Sequence, residues 1–341
     1  MRDPARYRLL RAISYLPDGI KIRMSRTPPV IVDGQQLDPQ LQLIRSLRRK
    51  NAPGLVEPSV DAGRKRYRRE TLAYRGPITK VAGVRDLEID GPEGALPARH
   101  YAPPSGSDDL TVYFHGGGFV LGDLETHDEP CRILCRYASV HVLSVAYRLA
   151  PEHPFPAALD DAAAALRWAQ THAAMLGADP RRVSIGGDSA GASLSAVVCQ
   201  EARGHPPVAQ MLIYPPTDGG GSRSQELFSE GFFLSRKDRA AFARHYAVPE
   251  NARARGSPLR ASDLSRLPPA LVITAGFDIL RDEGEAYAKA LTAAGNVVHS
   301  QRYGGLGHGF VHMTGVCPAA RRAMVGIARQ WRTMLDAAGH P

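Results

Sequence analysis

The stretch Arg182 to Ala192, RVSIGGDSAGA, holds the residues whose types and spacing best suit covalent chemistry. Val183, Ser184 and Ile185 alternate like a short strand, Gly186 and Gly187 break it, and Ala190 to Ala196 are small residues suited to a closely packed helix. Gly187-Asp188-Ser189-Ala190-Gly191 therefore matches G-x-S-x-G in the strand, turn and helix context that the motif requires. A serine at the tip of so sharp a turn is held in a strained backbone conformation. Side chains two residues to either side would collide with the neighbouring strand and helix, and glycine avoids the collision. The turn exposes the Ser189 hydroxyl at the sheet's carboxyl edge and aims the Ala190 N–H at whatever the serine attacks. Attack by a hydroxyl then needs a base, an acid to orient that base and further donors for the developing oxyanion.

His115-Gly116-Gly117-Gly118 is the second informative group. Consecutive glycines after a strand leave backbone N–H groups free and let a ligand approach closely, as an oxyanion hole requires. The same run would also make a flexible turn or a phosphate cradle. No G-K-[ST] follows, which argues against a P-loop. A histidine and three glycines about seventy residues ahead of G-x-S-x-G are far more specific together than either motif alone.

Twelve histidines compete for the role of base. His299 falls inside a strand pattern, and His245 and His312 lie near helical segments. His308, flanked by Gly305, Gly307 and Gly309, sits in a loop just past the last strand, where a side chain can swing over the sheet edge. For the acid, the chain order of this motif class is Ser, then Asp or Glu, then His. Asp278, just beyond the strand-like Leu271–Ala275, fits the role of holding the imidazole tautomer. Asp282, one turn on, is its rival and reads as a helix-start carboxylate. All these groups lie at carboxyl ends of strands, where open α/β sheets place their ligands.

Other constellations are weaker. Cys131 and Cys135 share a helix face, but nothing nearby completes a zinc ligand set, so no metal site is expected. Asp160-Asp161 reads as a structural carboxylate pair on a helix. Arg64-Lys65-Arg66-Tyr67-Arg68-Arg69 resembles a nucleic-acid patch, yet a single short run without aromatic interleaving reads as a solvated connector.

The elements that must position these groups alternate. Strand patterns at 81–89 and 96–101 flank the hairpin signal Gly91-Pro92-Glu93-Gly94, and further strands are expected at 109–114, 140–147, 183–185, 209–214, 271–275 and 297–303. Helices are expected at 128–138, 157–175, 190–196, 283–294 and 319–337. This alternation implies an α/β fold with a mostly parallel central sheet covered on both faces. Before it, residues 4–17 set Leu9, Leu10, Ile13 and Leu16 on one helical face, ended by Pro17-Asp18-Gly19. Residues 38–49 repeat the pattern with Leu41, Ile44 and Leu47. These two helices roof a pocket or lie on a membrane surface. More than fifty residues separate the strands at 209–214 and 271–275, too many for a simple crossover. The excursion at 218–250, with Phe228, Phe232 and Phe233, reads as a lid or binding element.

Composition bounds the rest. At 341 residues with 43% apolar content, one large α/β domain with an accessory layer can build its core. No run of about 18 apolar residues marks a membrane span, and the start carries charges without a leader's apolar core. Four dispersed cysteines make no disulfide framework, so a reduced, cytoplasmic protein is expected. The net charge of +9 resides in residues 1–70, with 16 Lys and Arg against 7 Asp and Glu, while the remainder balances at 27 against 27. A solvated basic face, rather than nucleic-acid binding, is the expected reading.

With these residues in hand, the chain resembles the hormone-sensitive-lipase-like (bacterial family IV) esterases of the α/β-hydrolase superfamily. The resemblance rests on His115-Gly116-Gly117-Gly118-Phe119, Tyr147-Arg148-Leu149-Ala150-Pro151-Glu152, Gly187-Asp188-Ser189-Ala190-Gly191, Asp278 with Arg281-Asp282, and His308-Gly309-Phe310. It implies an α/β-hydrolase fold with a helical cap: residues 1–55 as N-terminal cap helices, and 56–341 as the catalytic domain with a cap insertion at about 218–250. It further implies hydrolysis of short-to-medium acyl carboxylic esters without a cofactor, through an acyl-enzyme on Ser189, with Asp278 and His308 completing the triad. Gly116, Gly117 and Ala190 would supply the oxyanion N–H groups, in a loop the family links to bulky alcohol groups. The expected partner is a small-molecule ester, with a homodimer left open. A ligand receptor and a surface-active lipase that docks through the basic N-terminal arm remain alternatives. Ala192 stands where the family often has glycine, and Ile279 where proline commonly follows the acid.

Overall fold

Strand runs rich in Val, Ile, Leu and aromatic residues are buried on both faces, the pattern of a covered, mostly parallel sheet. The computed structural model describes residues 4–48 and 53–339. The chain begins with α1 (Pro4–Ile13) and α2 (Asp18–Ser25), a two-residue-per-strand hairpin β1 (Ile31–Val32) and β2 (Gln35–Gln36), and α3 (Pro39–Ser46). Asp33 and Gly34 turn the hairpin with positive φ at both positions, the conformation that Asp-Gly favours. Asp38 caps α3 by accepting the Gln40 and Leu41 N–H groups. Then follow α4 (Val60–Tyr74), β3 (Gly83–Gly91), β4 (Gly94–Ala102), β5 (Leu110–Phe114), α5 (Asp128–Ala138), β6 (His141–Val145) and α6 (Ala157–His172). The second half runs β7 (Val183–Asp188), α7 (Ala190–Glu201), β8 (Gln210–Ile213), α8 (Arg223–Leu227), α9 (Arg236–Tyr246), α10 (Arg253–Gly256), β9 (Ala270–Phe277), α11 (Arg281–Ala293), β10 (Val298–Gly307) and α12 (Pro318–Ala337).

Among the described residues, eight strands form one sheet in the order β10-β9-β8-β7-β5-β6-β4-β3. β3 and β4 form an antiparallel hairpin at one edge, β4 also runs antiparallel to β6, and the other pairings are parallel. Helices α5 and α12 pack together on one face, and α6 and α7 on the other. The buried Trp331 of α12 donates its indole N–H to Thr111 of β5 at 3.0 Å, which ties that layer to the sheet centre. The free cysteines are all buried. No helix of the described residues is long and apolar enough to cross a membrane.

Three expectations require correction. The first helix ends at Ile13, four residues short of the expected bound at 17, and Pro17-Asp18-Gly19 does not lead into a loop. Pro17 instead precedes a second helix, because a proline at a helix start forfeits no N–H that the helix needs. The basic run Arg64–Arg69 is not a solvated connector but part of α4, capped by Ser59. Arg64 reaches the Val120 and Ala150 carbonyls and pairs with Glu152, while Arg66 holds the carbonyls of Gly54, Leu55 and Glu57. In α1, Leu10 and Ile13 are buried, but Leu9 and Leu16, expected on the same face, are exposed.

Candidate active site

Four strands of the sheet, β5, β7, β9 and β10, end at the candidate residues. Asp188 closes β7, and Ser189 follows with φ 51° and ψ −119°. This left-handed strain at a non-glycine residue is sustained by its surroundings. A Cβ on Gly187 would lie 2.3 Å from the Phe114 carbonyl oxygen, and one on Gly191 1.9 Å from it. Both glycines are therefore steric requirements, and they let the turn sit against the end of β5.

Asp278 follows Phe277 at the end of β9, and His308 follows Gly307 at the end of β10. Phe277 and Gly307 stand opposite each other in the parallel ladder. That register sets the carboxylate beside the imidazole. His308 Nδ1 lies 2.8 Å from Asp278 Oδ2, and His308 Nε2 lies 3.0 Å from Ser189 Oγ. The other Asp278 oxygen accepts the Leu280 N–H at 2.9 Å. Asp278 is buried, and the Tyr214 ring packs against His308 at 4.6 Å between centroids. Asp282 is directed elsewhere, accepting the Ser224 N–H and the Arg281 Nε–H. The structure thus brings Ser189, His308 and Asp278 together and leaves Asp282 out. His299 points from β10 far from this cluster in the exposed part of the strand, and His245 belongs to α9.

The glycine loop differs from expectation at one position. The Gly116 N–H donates to Asp188 Oδ1 at 3.0 Å and also faces His127 Nε2 at 3.2 Å. It is engaged behind the site and cannot also serve an oxyanion in it. Gly117, Gly118 and Ala190 line the cavity that holds Ser189 and His308. Among the described residues, no hydrogen bond uses their N–H groups. The N–H groups left free beside the cavity are those of Gly117, Gly118 and Ala190, one residue along from the expected Gly116, Gly117 and Ala190. Gly117 and Gly118 have φ of 125° and 64°, and a Cβ on Gly117 would meet the Leu121 carbonyl oxygen at 2.1 Å.

Behind the loop lies a buried hub that the sequence did not signal. Asp188 accepts the hydroxyls of Tyr113 at 2.9 Å and Tyr214 at 3.1 Å as well as the Gly116 N–H. Burial alone would raise the Asp188 carboxyl, but the neighbouring His127 imidazole and these donors hold it well below the usual carboxylate range. His115 donates Nδ1–H to the Gly116 carbonyl, and burial pushes its imidazole down to about 4, so it stays neutral. Tyr147 stacks on that ring and donates its hydroxyl to the His115 carbonyl. Arg148 locks onto the buried Asp161 through its N–H and guanidinium, which fits the structural reading of Asp160-Asp161. The signal for the hub was present only as the variable residue inside G-x-S-x-G and as tyrosines at strand ends.

His127, Asp188 and His312 offer ligand atoms within 4.8 Å of one another, the spacing a metal ion uses. Most of these atoms already have hydrogen-bond partners, although the buried His312 Nδ1 has none. Asp188 serves three donors, His127 Nδ1 meets Thr126 Oγ1, and His312 Nε2 meets the Tyr67 hydroxyl. A metal there would break the Gly116 anchor, so the cluster fits a hydrogen-bonded support better than a metal centre. Burial pushes the His312 imidazole down to about 3.

The cavity at Ser189 has a volume of about 300 Å³. Its wall is aromatic, with Tyr67 and Tyr74 from α4, Phe119, Phe233, and Phe242 and Tyr246 from α9. Contacts join the N-terminal segment to the excursion beside it. Asp238, in a capping box with Ser235, accepts the Leu55 N–H at 2.7 Å, and Arg45 of α3 lies over the Phe232 ring and bonds the Gly231 carbonyl. Ala192 and Ile279, the two departures from the family pattern, are both buried, and neither lines the cavity at Ser189.

Comparison with known proteins agrees with this geometry. A family described as having the alpha/beta hydrolase fold matches residues 111–312. The carboxylic ester hydrolase LipN of Mycobacterium tuberculosis is 48% identical over 319 residues, covering 89% of this chain and 85% of that protein. The esterase LipI of the same organism is 44% identical, over 79% of this chain and 86% of its own length. Among solved structures, the ester-hydrolase EH1AB1 from the metagenome of Lake Arreo, complexed with a derivative of bipyridine phosphonate, superposes with a TM-score of 0.81. It is 41% identical and covers 88% of this chain and 97% of that one.

Proposed function

The chain belongs to the hormone-sensitive-lipase-like branch of the α/β-hydrolase family and is a carboxylic ester hydrolase, and we propose that it works through Ser189, His308 and Asp278 on short-to-medium acyl esters. The observation that carries this reading is the strained Ser189, its hydroxyl 3.0 Å from an imidazole held by a buried carboxylate. His308 Nε2 takes the Ser189 proton as Oγ attacks the ester carbonyl carbon. The N–H groups of Gly117, Gly118 and Ala190 receive the charge that develops on the carbonyl oxygen. The C–O bond to the alcohol then breaks, and the alcohol leaves with the proton that His308 carries. Water, deprotonated by the same nitrogen, attacks the acyl-Ser189 ester and releases the acid. Asp278 holds the imidazole in the tautomer with Nδ1–H throughout. No cofactor is needed for these steps.

A cavity of about 300 Å³ lies at the small end of ligand sites, which supports an acyl chain of limited length. Residues 1–55 and 218–250 form the cap over it in this reading, since both contribute to its wall. The buried free thiols support a cytoplasmic location. Pairing through β10, the outermost strand of the sheet, would give the homodimer. The test is hydrolysis of p-nitrophenyl acetate, butyrate, octanoate and palmitate by the protein and by Ser189→Ala. Turnover of the short esters, lost by several orders of magnitude in the variant, supports the reading. Equal slow rates in both proteins would remove Ser189 from it.

A further inference from the structure

The large apolar side chains left in solvent concentrate at the N-terminus. Leu9, Tyr15, Leu16, Ile20 and Met24 expose between 37% and 78% of their surface. Leu9 and Leu16 lie seven residues apart on α1 and the turn after it, with the exposed Ala12 between them. Ile20 and Met24 lie four apart on α2 and share a helical face. The opposite faces are used, Leu10 and Ile13 being buried. Arg8, Arg11, Arg23 and Arg26 stand exposed around the apolar side chains. Asp18 is the one acidic residue from Pro4 to Arg26, and Lys21 takes it as a partner. An exposed apolar surface rimmed by unopposed arginines is the pattern of a helix pair lying in a lipid interface.

A second feature points the same way. Between α1 and α4, Arg8, Arg11, Arg69 and Arg75 line a surface cleft of about 300 Å³ together with Tyr7 and Val316. Guanidinium groups bind phosphate oxygens in bidentate fashion, and although Arg75 also faces Asp128 Oδ2 at 3.8 Å, Arg8, Arg11 and Arg69 beside it fit a phosphodiester better than a carboxylate side chain. A second copy of this chain is disfavoured as the occupant. Isologous pairing would set these arginines against their own counterparts. The cleft is coupled to the cavity through one helix. Arg69 and Arg75 lie at the cleft, while Tyr67, Thr71 and Tyr74 on α4 line the cavity at Ser189. Tyr7 of α1 packs edge-on against Tyr74 at 5.4 Å between ring centroids.

We propose that α1 and α2 dock the protein on an anionic phospholipid surface, the exposed apolar side chains entering the boundary region and the α1–α4 arginine cleft holding lipid phosphate. Docking sets the cavity beside the phase into which apolar esters partition. The proposal goes beyond the hydrolase reading and is judged by binding.

Flotation with phosphatidylcholine vesicles, with and without phosphatidylglycerol, tests it. The protein floats with the anionic vesicles, not with phosphatidylcholine alone, and salt releases it. Arg8→Gln/Arg11→Gln weakens binding about 25-fold, at about fivefold per charge near an anionic leaflet. Leu16→Ser/Ile20→Ser weakens it on the order of tenfold per side chain. Both variants hydrolyse dissolved p-nitrophenyl butyrate as the parent does, which certifies their fold. Failure to float with anionic vesicles, or flotation unchanged in both variants, overturns the proposal. Tight binding of inorganic phosphate alone, with no vesicle binding, reassigns the cleft to a free anion and overturns it too. A lipid-free dimer in sedimentation velocity that Leu16→Ser/Ile20→Ser dissolves would assign the surface to a second copy. An inactive parent that still floats would tell against the hydrolase reading alone.

Discussion

Asp188→Asn tests whether the buried hub supports catalysis or only folding. The carboxylate oxygen Oδ1 faces the Tyr113 hydroxyl, the Gly116 N–H and His127 Nε2, and Oδ2 faces the Tyr214 hydroxyl. An amide placed with its oxygen toward the three groups keeps two acceptor positions for them, so one contact is lost and the others lose their ionic character. The hydroxyl of Tyr214 can rotate to accept from the new amide, which spares the fold. Weakening three charge-assisted hydrogen bonds to neutral ones costs about 1 kcal/mol each, about 3 kcal/mol in all, and lowers Tm by roughly 4 °C in a chain of this length. The Gly116 anchor loosens with them, and the donors of Gly117 and Gly118 shift with the loop. A displacement of about 1 Å at such donors reduces kcat on the order of 100-fold, with KM within about threefold because the aromatic wall is untouched. Steady-state kinetics on p-nitrophenyl butyrate and differential scanning fluorimetry read the two effects separately. A lowered Tm with kcat within twofold of the parent would refute the supporting role and leave Asp188 a fold-stabilising residue.

Other outcomes follow from the same geometry. Gly191→Ala drives a Cβ to 1.9 Å from the Phe114 carbonyl and is expected to yield no folded protein, whereas Gly204→Ala, with nothing within 4 Å, keeps Tm within about 1 °C; circular dichroism melts distinguish them. Asp278→Asn lowers kcat by about three to four orders of magnitude because the imidazole loses its tautomer, while Asp282→Asn, which touches Ser224 and Arg281 instead, stays within about tenfold. Stability falls on acidification. His115 and His312 are buried neutral, with folded values pushed down to about 4 and about 3 against an unfolded value near 6.5. The unfolded chain therefore binds more protons below that value, and their contribution, full above pH 6.5, declines as pH falls toward 4. Each loses about 2 kcal/mol by pH 5, and a Tm equal at pH 7.5 and pH 5 would contradict the buried neutral state. The lowered Asp188 value acts only further down, below the ordinary carboxylate range.

How much of this was readable beforehand depended on whether a residue acts locally. The steric need for Gly187 and Gly191 follows from the turn itself, and the sheet confirms it through a single carbonyl of β5. The placement of Asp278 and His308 was legible because parallel strands put successive loops at one edge, and the β9–β10 register then makes them neighbours. Gly116 was misassigned because its N–H direction depends on Asp188, 72 residues away, and no local pattern records that bond. Helix α4 escaped notice because its inward side chains are Tyr67, Thr71 and Tyr74, spaced as a helical face but too polar to stand out among arginines. Leu9 and Leu16 obey helical periodicity yet face solvent, since the period fixes a face but not what covers it.

The central claim is that Ser189 is the residue that carries the acyl group, and labelling with diethyl p-nitrophenyl phosphate tests it most directly. The phosphorus is attacked as an ester carbonyl would be, p-nitrophenolate departs, and the tetrahedral adduct stays on the nucleophile. The account predicts one equivalent of p-nitrophenol, loss of ester hydrolysis in step with its release, and a diethylphosphoryl group that tandem mass spectrometry finds on Ser189. Full inactivation with the label on another residue, or continued turnover by protein labelled at Ser189, would contradict it.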